Sequence, residues 1–318
     1  MHAAVVTDPA QPPKYQTFPD PTPEAGEVLI RVRAAGIHPV VKAIASGAHY
    51  SSSATHTPTI PGIDGVGTLP NGSRVYFGFV RKPWGTMAEL AAAPRNMPIL
   101  VPDALSDAEA AAIANPGMSA WMSLKERAGL APGETVLILG ATGVAGQLAI
   151  QAARQLGARR VIAAGRNVGA LAAADVDGII SLAEPEDAVR EAFIAHAASG
   201  IDVVIDYLWG RPTELLFEAL ARGFKPQSTQ RTRLVEVGSS AGPTITLPSA
   251  TLRSVDLTIT GSGFGSVPLD RILAAIPTLF EMAAAGSLKI AVEPLPLADV
   301  ESAWNSADKG RRVVLTLP

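Results

Sequence analysis

Hydrophobic positions follow two different rhythms along this chain. Between Thr135 and Phe264, short apolar runs alternate with stretches in which apolar side chains recur every three or four positions. The runs predict strands over 135–139, 160–164, 178–182, 202–208, 233–237 and 256–260; the recurring stretches predict helices over 145–156, 186–198 and 213–222. Near-continuous apolar strands suit a sheet buried on both faces. Strand–helix alternation implies parallel strands joined by right-handed crossovers. Residues 1–113 read differently: prolines and glycines recur every few positions, and strand-like runs are short, at Ala3–Val6, Glu27–Arg33 and Arg74–Phe77. That pattern predicts a β-rich domain with tight turns. Ser106-Asp107-Ala108-Glu109 has the form of a capping box at a helix start. Asn115-Pro116-Gly117 predicts a break, after which a helix carries Trp121, Met122, Leu124 and Lys125 and ends near Gly129. The fold class is α/β.

Composition narrows the function. A chain of 318 residues, 47% hydrophobic and 17% charged, can bury a sizeable core in two domains or one large one. Net charge is −3 and no basic stripe is present, which argues against nucleic acid as a partner. The absence of cysteine excludes disulfides, thiol catalysis and cysteine-ligated zinc. The opening MHAAVVTDPAQPP lacks the basic region and apolar core of a signal peptide, and no apolar run is long enough to span a bilayer. The expectation is a soluble cytoplasmic protein without a membrane partner.

The stretch with the clearest chemistry is TVLILGATGVAGQLAIQAARQLG, Thr135 to Gly157. It reads as strand, glycine loop and helix, with Gly140, Gly143 and Gly146 in the loop and Gly157 at the helix stop. A pyrophosphate needs backbone N–H groups and a positive helix N-terminus close to its oxygens, and side chains would hold it off. The glycines, with the amides of Val144 and Ala145, form the predicted cradle. About twenty positions beyond such a loop an acidic residue ordinarily holds the ribose 2′-hydroxyl. Here Arg166 occupies that place, with Asn167 beside it, and no acid appears before Asp175. An arginine suits a 2′-phosphate, so the expected cofactor is NADPH. The plainer reading of Arg166 is a solvent-facing strand end.

Several segments in order, GEVLIRVRAAGIHPV, SGAHY, PGIDGVG, GSRVYFG, GTMAEL, NPGMSAW, RAGLAPGETVLILGATG, VIAAGR, RLVEVG and KGRRVVLTLP, span nearly the whole length. As a set they resemble the zinc-free quinone oxidoreductase branch of the medium-chain dehydrogenase/reductase superfamily. The resemblance implies a GroES-like β-rich catalytic domain (1–113) and a Rossmann NADP(H)-binding domain with a doubly wound parallel sheet (114–264). The chain would return to the catalytic domain over 265–318, and the nicotinamide would lie in the cleft. It further implies NADPH-dependent reduction of quinones or α,β-unsaturated carbonyls. By family position, Ser119, Gly238 and Ser239 fall near the nicotinamide, and Gly263 and Phe264 of GSGFG fall along the cofactor; Phe264 reads equally as core. Zinc-dependent relatives carry Cys, and Gly-His-Glu where this chain has Gly62-Ile63-Asp64. His38, His49 and His56 match no short ligand spacing, so no metal site is expected.

Two residues are candidates for chemistry. Tyr50 in SGAHY can hydrogen-bond a carbonyl oxygen or relay a proton, or simply pack with a satisfied hydroxyl. His38 stands where many relatives carry Asn; it can orient substrate or supply a proton, or serve structure. Two departures from the family bear on the cleft entrance: the short TLPN turn, Thr68 to Asn71, and the longer basic segment Arg222 to Arg233. Alternative readings are an enoyl-thioester reductase, for which that basic segment would meet an acyl carrier, and a non-catalytic NADPH-binding sensor. Relatives often dimerise through the sixth Rossmann strand; here that is DLTIT, Asp256 to Thr260, whose edge would stay open if unpaired, so a homodimer is expected.

Overall fold

The computed structural model describes residues 1–52, 58–222, 230–306 and 310–318. His56 and most of the basic segment, residues 223–229, lie outside the described residues. The chain forms two compact units, Met1–Asn115 with Leu273–Pro318, and Pro116–Ile272.

The first unit is built on the long strand Glu27–Gly36. Its alternation puts Ile30 and Val32 into the core while Arg31 faces solvent. It pairs antiparallel with Asp64–Thr68, Leu90–Pro94 and Arg312–Thr316, so the C-terminal strand is stitched into the N-terminal sheet. Phe77, Met87 and Leu315 fill the core beside them. The capping box forms: the Glu109 amide donates to Ser106 Oγ (3.2 Å), and the Ser106 amide donates to Glu109 Oε2 (3.0 Å). The expected break at Asn115-Pro116-Gly117 does not occur. One helix, Asp107–Met122, runs through Pro116 and continues into a π-helical turn, Ser123–Arg127. Proline removes one intrahelical hydrogen bond, but Ala110 to Ala114 and Ala120 to Met122 are buried on either side of it. Packing therefore holds a helix that local propensity would end.

The second unit carries six parallel strands: β1 (Thr135–Leu139), β2 (Arg160–Gly165), β3 (Gly178–Ser181), β4 (Val203–Asp206), β5 (Arg231–Glu236) and β6 (Asp256–Gly261). Their order is β3-β2-β1-β4-β5-β6, the doubly wound arrangement, with its switch point between β1 and β4. All five residues of β1 and all four of β4 are buried, as continuous apolar strands require. The helices α1 (Val144–Gln155), α2 (Glu186–Ala197) and α3 (Gly210–Arg222) follow strands β1, β3 and β4. Leu148, Ala149 and Ala152 of α1 are buried, and Gly157 ends the helix at φ +86°. Strand β4 stops two residues before the predicted 208. The Asp206 side chain takes the next amides and bends the chain away. Among the described residues, no helix is long and apolar enough to cross a membrane.

Candidate functional site

The C-terminal ends of β1, β2 and β5 carry most of the candidate residues of the second unit. After β1 the chain turns at Gly140, whose amide donates to Ala164 O (2.9 Å); its φ of +84° strains any side chain, and a Cβ would also sit tightly, 3.1 Å from Leu208 Cδ2 and 3.2 Å from Tyr207 Cβ. Gly146 is needed for a different reason. A Cβ there would lie 2.3 Å from Gly140 O, so this glycine lets α1 press onto the loop. Gly143 is the N-cap of α1, and a Cβ on it would meet nothing closer than Gly140 O at 3.5 Å. The chain itself does not require glycine at 143; the space beside it is open. Val144 and Ala145 begin α1, where the first-turn amides have no intrahelical acceptor. A twelve-residue helix adds the positive end of its dipole.

Arg166 leaves the end of β2 exposed, and among the described residues it makes no hydrogen bond or ion pair. Asn167 is used locally: its Oδ1 accepts from the Ala170 amide (3.1 Å) and caps the short helix Val168–Ala172. An open cradle, a helix N-terminus and an unpaired guanidinium one strand away match the charge and shape of a 2′-phosphorylated dinucleotide.

Next to the cradle, Asp206 at the end of β4 organises a turn. Its carboxylate accepts from the Leu208 and Trp209 amides (2.8 and 2.9 Å) and from Thr213 Oγ1 (2.5 Å). Burial pushes this carboxyl up, and the hydrogen bonds from Thr213, Trp209 and Leu208 oppose it. The turn holds Trp209 at φ +53°, a conformation that costs a bulky residue about 1 kcal/mol or more. Gly238 donates to Asp206 O (3.2 Å), and Ser240 Oγ donates to Tyr207 O (2.9 Å), tying the turn after β5 to the turn after β4. Ser239 is exposed and borders an open hollow of about 450 Å³ with Trp209, Glu236, Ile259 and Gly261. Burial, with the Asp206 charge, pushes the Glu236 carboxyl up. Ser119 lies on the helix Asp107–Met122 beside the Tyr207 hydroxyl, and burial raises the pKa of that phenol. Phe264 is 45% exposed, so the core reading of this residue is set aside. Gly263 is also exposed, its amide bonded to Ser266 Oγ (2.8 Å). Arg127, in the π-helical turn, fixes this segment by donating to Gly261 O (2.7 Å), Ser266 O (3.2 Å) and Thr260 Oγ1.

In the first unit His38 and Tyr50 are placed differently from each other. Tyr50 is 69% exposed, its ring against His49 at 4.1 Å. His38 is 1% exposed, with Nε2 3.4 Å from Asp64 Oδ1; Asp64 Oδ2 accepts from the Tyr76 hydroxyl at 2.8 Å. Burial lowers the His38 pKa and Asp64 only partly restores it, so the imidazole is neutral at pH 7 and is not a ready proton source. Arg312, also buried, donates to Ile37 O (2.8 Å). Among the described residues, no three His, Cys, Asp or Glu side chains converge.

No protein-family model matches the chain. A probable NADPH-dependent quinone reductase of Emericella nidulans is 30% identical, over 99% of this chain and 99% of that protein. The chain belongs to the quinone oxidoreductase branch of the medium-chain dehydrogenase/reductase superfamily. The quinone oxidoreductase of Thermus thermophilus, solved also with NADPH, is 29% identical with a TM-score of 0.78, covering 100% of both chains. A mycobacterial protein solved with NADPH is 25% identical with a TM-score of 0.81, again over 100% of both. A trans-enoyl reductase of Aspergillus terreus is 29% identical over 61% of this chain and 58% of that protein. The first, β-rich unit is accordingly the GroES-like domain of this family and the second, parallel-sheet unit its Rossmann domain.

Sequence reasoning missed Asp206, Tyr207, Trp209 and Arg127. The first three had a signal: an aspartate closing an apolar strand before a glycine-ended turn predicts side-chain capture of the next amides. Arg127 had none, because its partners lie more than 130 positions away.

Proposed function

We propose that this chain is an NADPH-dependent reductase of quinones and α,β-unsaturated carbonyl compounds that works without zinc. The observation that carries the proposal is the open cradle at the N-terminus of α1 one strand away from the unpaired Arg166. The full-length relative supports the same reading. When bound, NADPH supplies a hydride to an electron-poor carbon of the acceptor. The residues of this chain bind and orient. Gly140, Gly143, Gly146 and the amides of Val144 and Ala145 hold the pyrophosphate, and Arg166 pairs with the 2′-phosphate. Ser119, Gly238, Ser239, Gly263 and Phe264 belong to the nicotinamide side of the proposal. Asn167 contributes by shaping the turn that carries Arg166. Tyr50, exposed, is assigned the hydrogen bond to the acceptor's oxygen; His38, buried and neutral, is assigned a positioning part. The absence of cysteine, together with no convergence of three His, Asp or Glu side chains among the described residues, supports the zinc-free reading. A conjugated acceptor needs no such Lewis acid, since its charge delocalises onto oxygen. We also infer a homodimer through the free edge of β6.

The test follows loss of reduced-nicotinamide absorbance with NADPH or NADH against a quinone, a short enone, a crotonyl thioester and a simple aldehyde. Oxidation of NADPH with the quinone or enone is expected. Arg166→Ala is expected to raise KM for NADPH about tenfold, the loss of a charge-assisted contact, and to leave NADH unchanged. Turnover with the thioester alone would instead favour an enoyl-thioester reductase, the reading the Aspergillus terreus relative supports. Tight NADPH binding without turnover would favour a sensor.

A further inference from the structure

Glu236 is an acid without a counter-ion. It lines the open hollow of about 450 Å³ with Trp209, Pro243, Ile259 and Gly261, and among the described residues its side chain makes no hydrogen bond or ion pair. The charge beside it is negative. Asp206 is its register partner on β4, and that carboxylate is already engaged by two amides and a threonine. A partly buried carboxylate next to a second one favours a cation. The row continues outward. Asp206 pairs with Glu236 and Glu236 with Gly261, so the three positions face one side of the sheet. A Cβ on Gly261 would meet nothing closer than Glu236 O at 3.9 Å. The fold does not require glycine there, and its effect is to leave no side chain between Glu236 and the open edge of β6.

A free cation belongs to the same strand. Arg253 is exposed and among the described residues makes no hydrogen bond or ion pair. It lies at the end of the short helix Ser249–Ser254, which leads through Val255 into β6. That helix packs against α3, on the side of the sheet where Leu234, two residues before Glu236, is buried among α2 and α3 side chains. Within one chain the two charges stand at opposite ends of β6, about 17 Å apart at roughly 3.3 Å per residue, too far for an ion pair. Antiparallel pairing of β6 with β6 of a second copy, centred on Ile259, keeps the faces and reverses the ends. Gly261 then stands opposite the partner subunit's Leu257, and the partner's Arg253 comes to the Glu236 end. We propose that Glu236 of each protomer binds the partner's Arg253 in this hollow, so that two symmetry-related ion pairs flank the β6 seam. Edge peptide groups alone accept any strand, whereas opposite charges at both ends select an antiparallel copy of this chain. The inference rests on the homodimer proposed above and names the side chains that choose the partner.

The test measures light scattering over a concentration series. It compares wild type, Glu236→Arg, Arg253→Glu, the doubly substituted chain, and an equal mixture of the two single variants. Wild type should be dimeric at micromolar concentration. Each single variant alone should be monomeric there, because like charges then meet twice. The mixture should return to dimer, since the exchanged charge on each chain then faces its opposite on the other. The doubly substituted chain should dimerise as well. Melting temperature and NADPH binding check that each variant is folded. Should a reversed charge prevent folding, Glu236→Gln and Arg253→Gln replace the reversals. Each is expected to raise the dimer dissociation constant about tenfold, the loss of two surface ion pairs. A monomeric wild type, single variants that dimerise as wild type does, or recovery in the doubly substituted chain but not in the mixture would each overturn the inference. None of these outcomes bears on the reductase reading, which NADPH oxidation by wild type tests separately.

Discussion

His38 shows how a residue that looks chemical in sequence can be buried in the fold. Its position left open orienting substrate, supplying a proton or serving structure; with 1% exposure and Asp64 at 3.4 Å, burial lowers its pKa and the neutral ring is the favoured form. The sign of its pH effect follows. The unfolded imidazole takes a proton near pH 6.5 and the folded one only at lower pH, so stability present above 6.5 is lost as pH falls. One proton sets a limiting slope of about 1.4 kcal/mol per pH unit. Urea unfolding at pH 7 and pH 5 should therefore show wild type losing more stability than His38→Asn. His49 and His196, whose pKa values burial also lowers, are common to both proteins and cancel. Parallel pH slopes for the two would show that His38 does not resist protonation. The exposed place of Arg166 after β2 was legible because charge at a strand end is a local property. The burial of His38 was not, because it depends on Asp64, Tyr76 and Arg312, which reach it from elsewhere in the chain.

At the scale of elements, the strand–loop–helix of β1 and α1 was readable almost residue by residue, since its periodicity, glycines and helix stop are all local signals. The glycines nevertheless divide by purpose, and only their surroundings in the fold separate them. Gly146→Ala would put a Cβ 2.3 Å from Gly140 O, a backbone clash that should destabilise the domain by about 3 kcal/mol. Gly143→Ala has φ −75° and no contact under 3.5 Å, so stability should change by less than about 1 kcal/mol. NADPH affinity should nonetheless fall if the proposed cradle is right, because the added methyl would enter the space assigned there to the pyrophosphate. Thermal melting and calorimetry on both variants check this. If Gly143→Ala binds NADPH as wild type does, the cradle lies elsewhere. Pro116 marks the limit of local reading. Asn-Pro-Gly predicts a stop, but alanines buried on both sides make an uninterrupted helix the better packed state.

For the whole molecule, the two hydrophobic rhythms foretold a β-rich unit with tight turns and a parallel α/β unit. What they left open is assembly, which depends on one edge. Ser262 donates to Glu236 O (2.8 Å), so Thr258 and Thr260 turn their peptide groups toward β5, while Leu257, Ile259 and Gly261 turn theirs outward. Part of that outward row is already taken. Arg127 occupies Gly261 O and the Leu257 amide bonds Val255 O (2.8 Å), which leaves the peptide groups of Ile259 as the central free pair. An exposed edge of this kind either pairs or must be protected, and β6 carries no proline or lysine to protect it. Antiparallel pairing with β6 of a second copy satisfies it and makes one continuous sheet. Light scattering at micromolar concentration should give twice the 32.8 kDa chain mass. Ile259→Pro removes an outward amide without touching the bonds to β5 and should shift the protein to monomer, with NADPH binding retained because the cradle lies at the other side of the sheet's switch point. A wild-type monomer, or a dimer indifferent to Ile259→Pro, would place the contact on another surface.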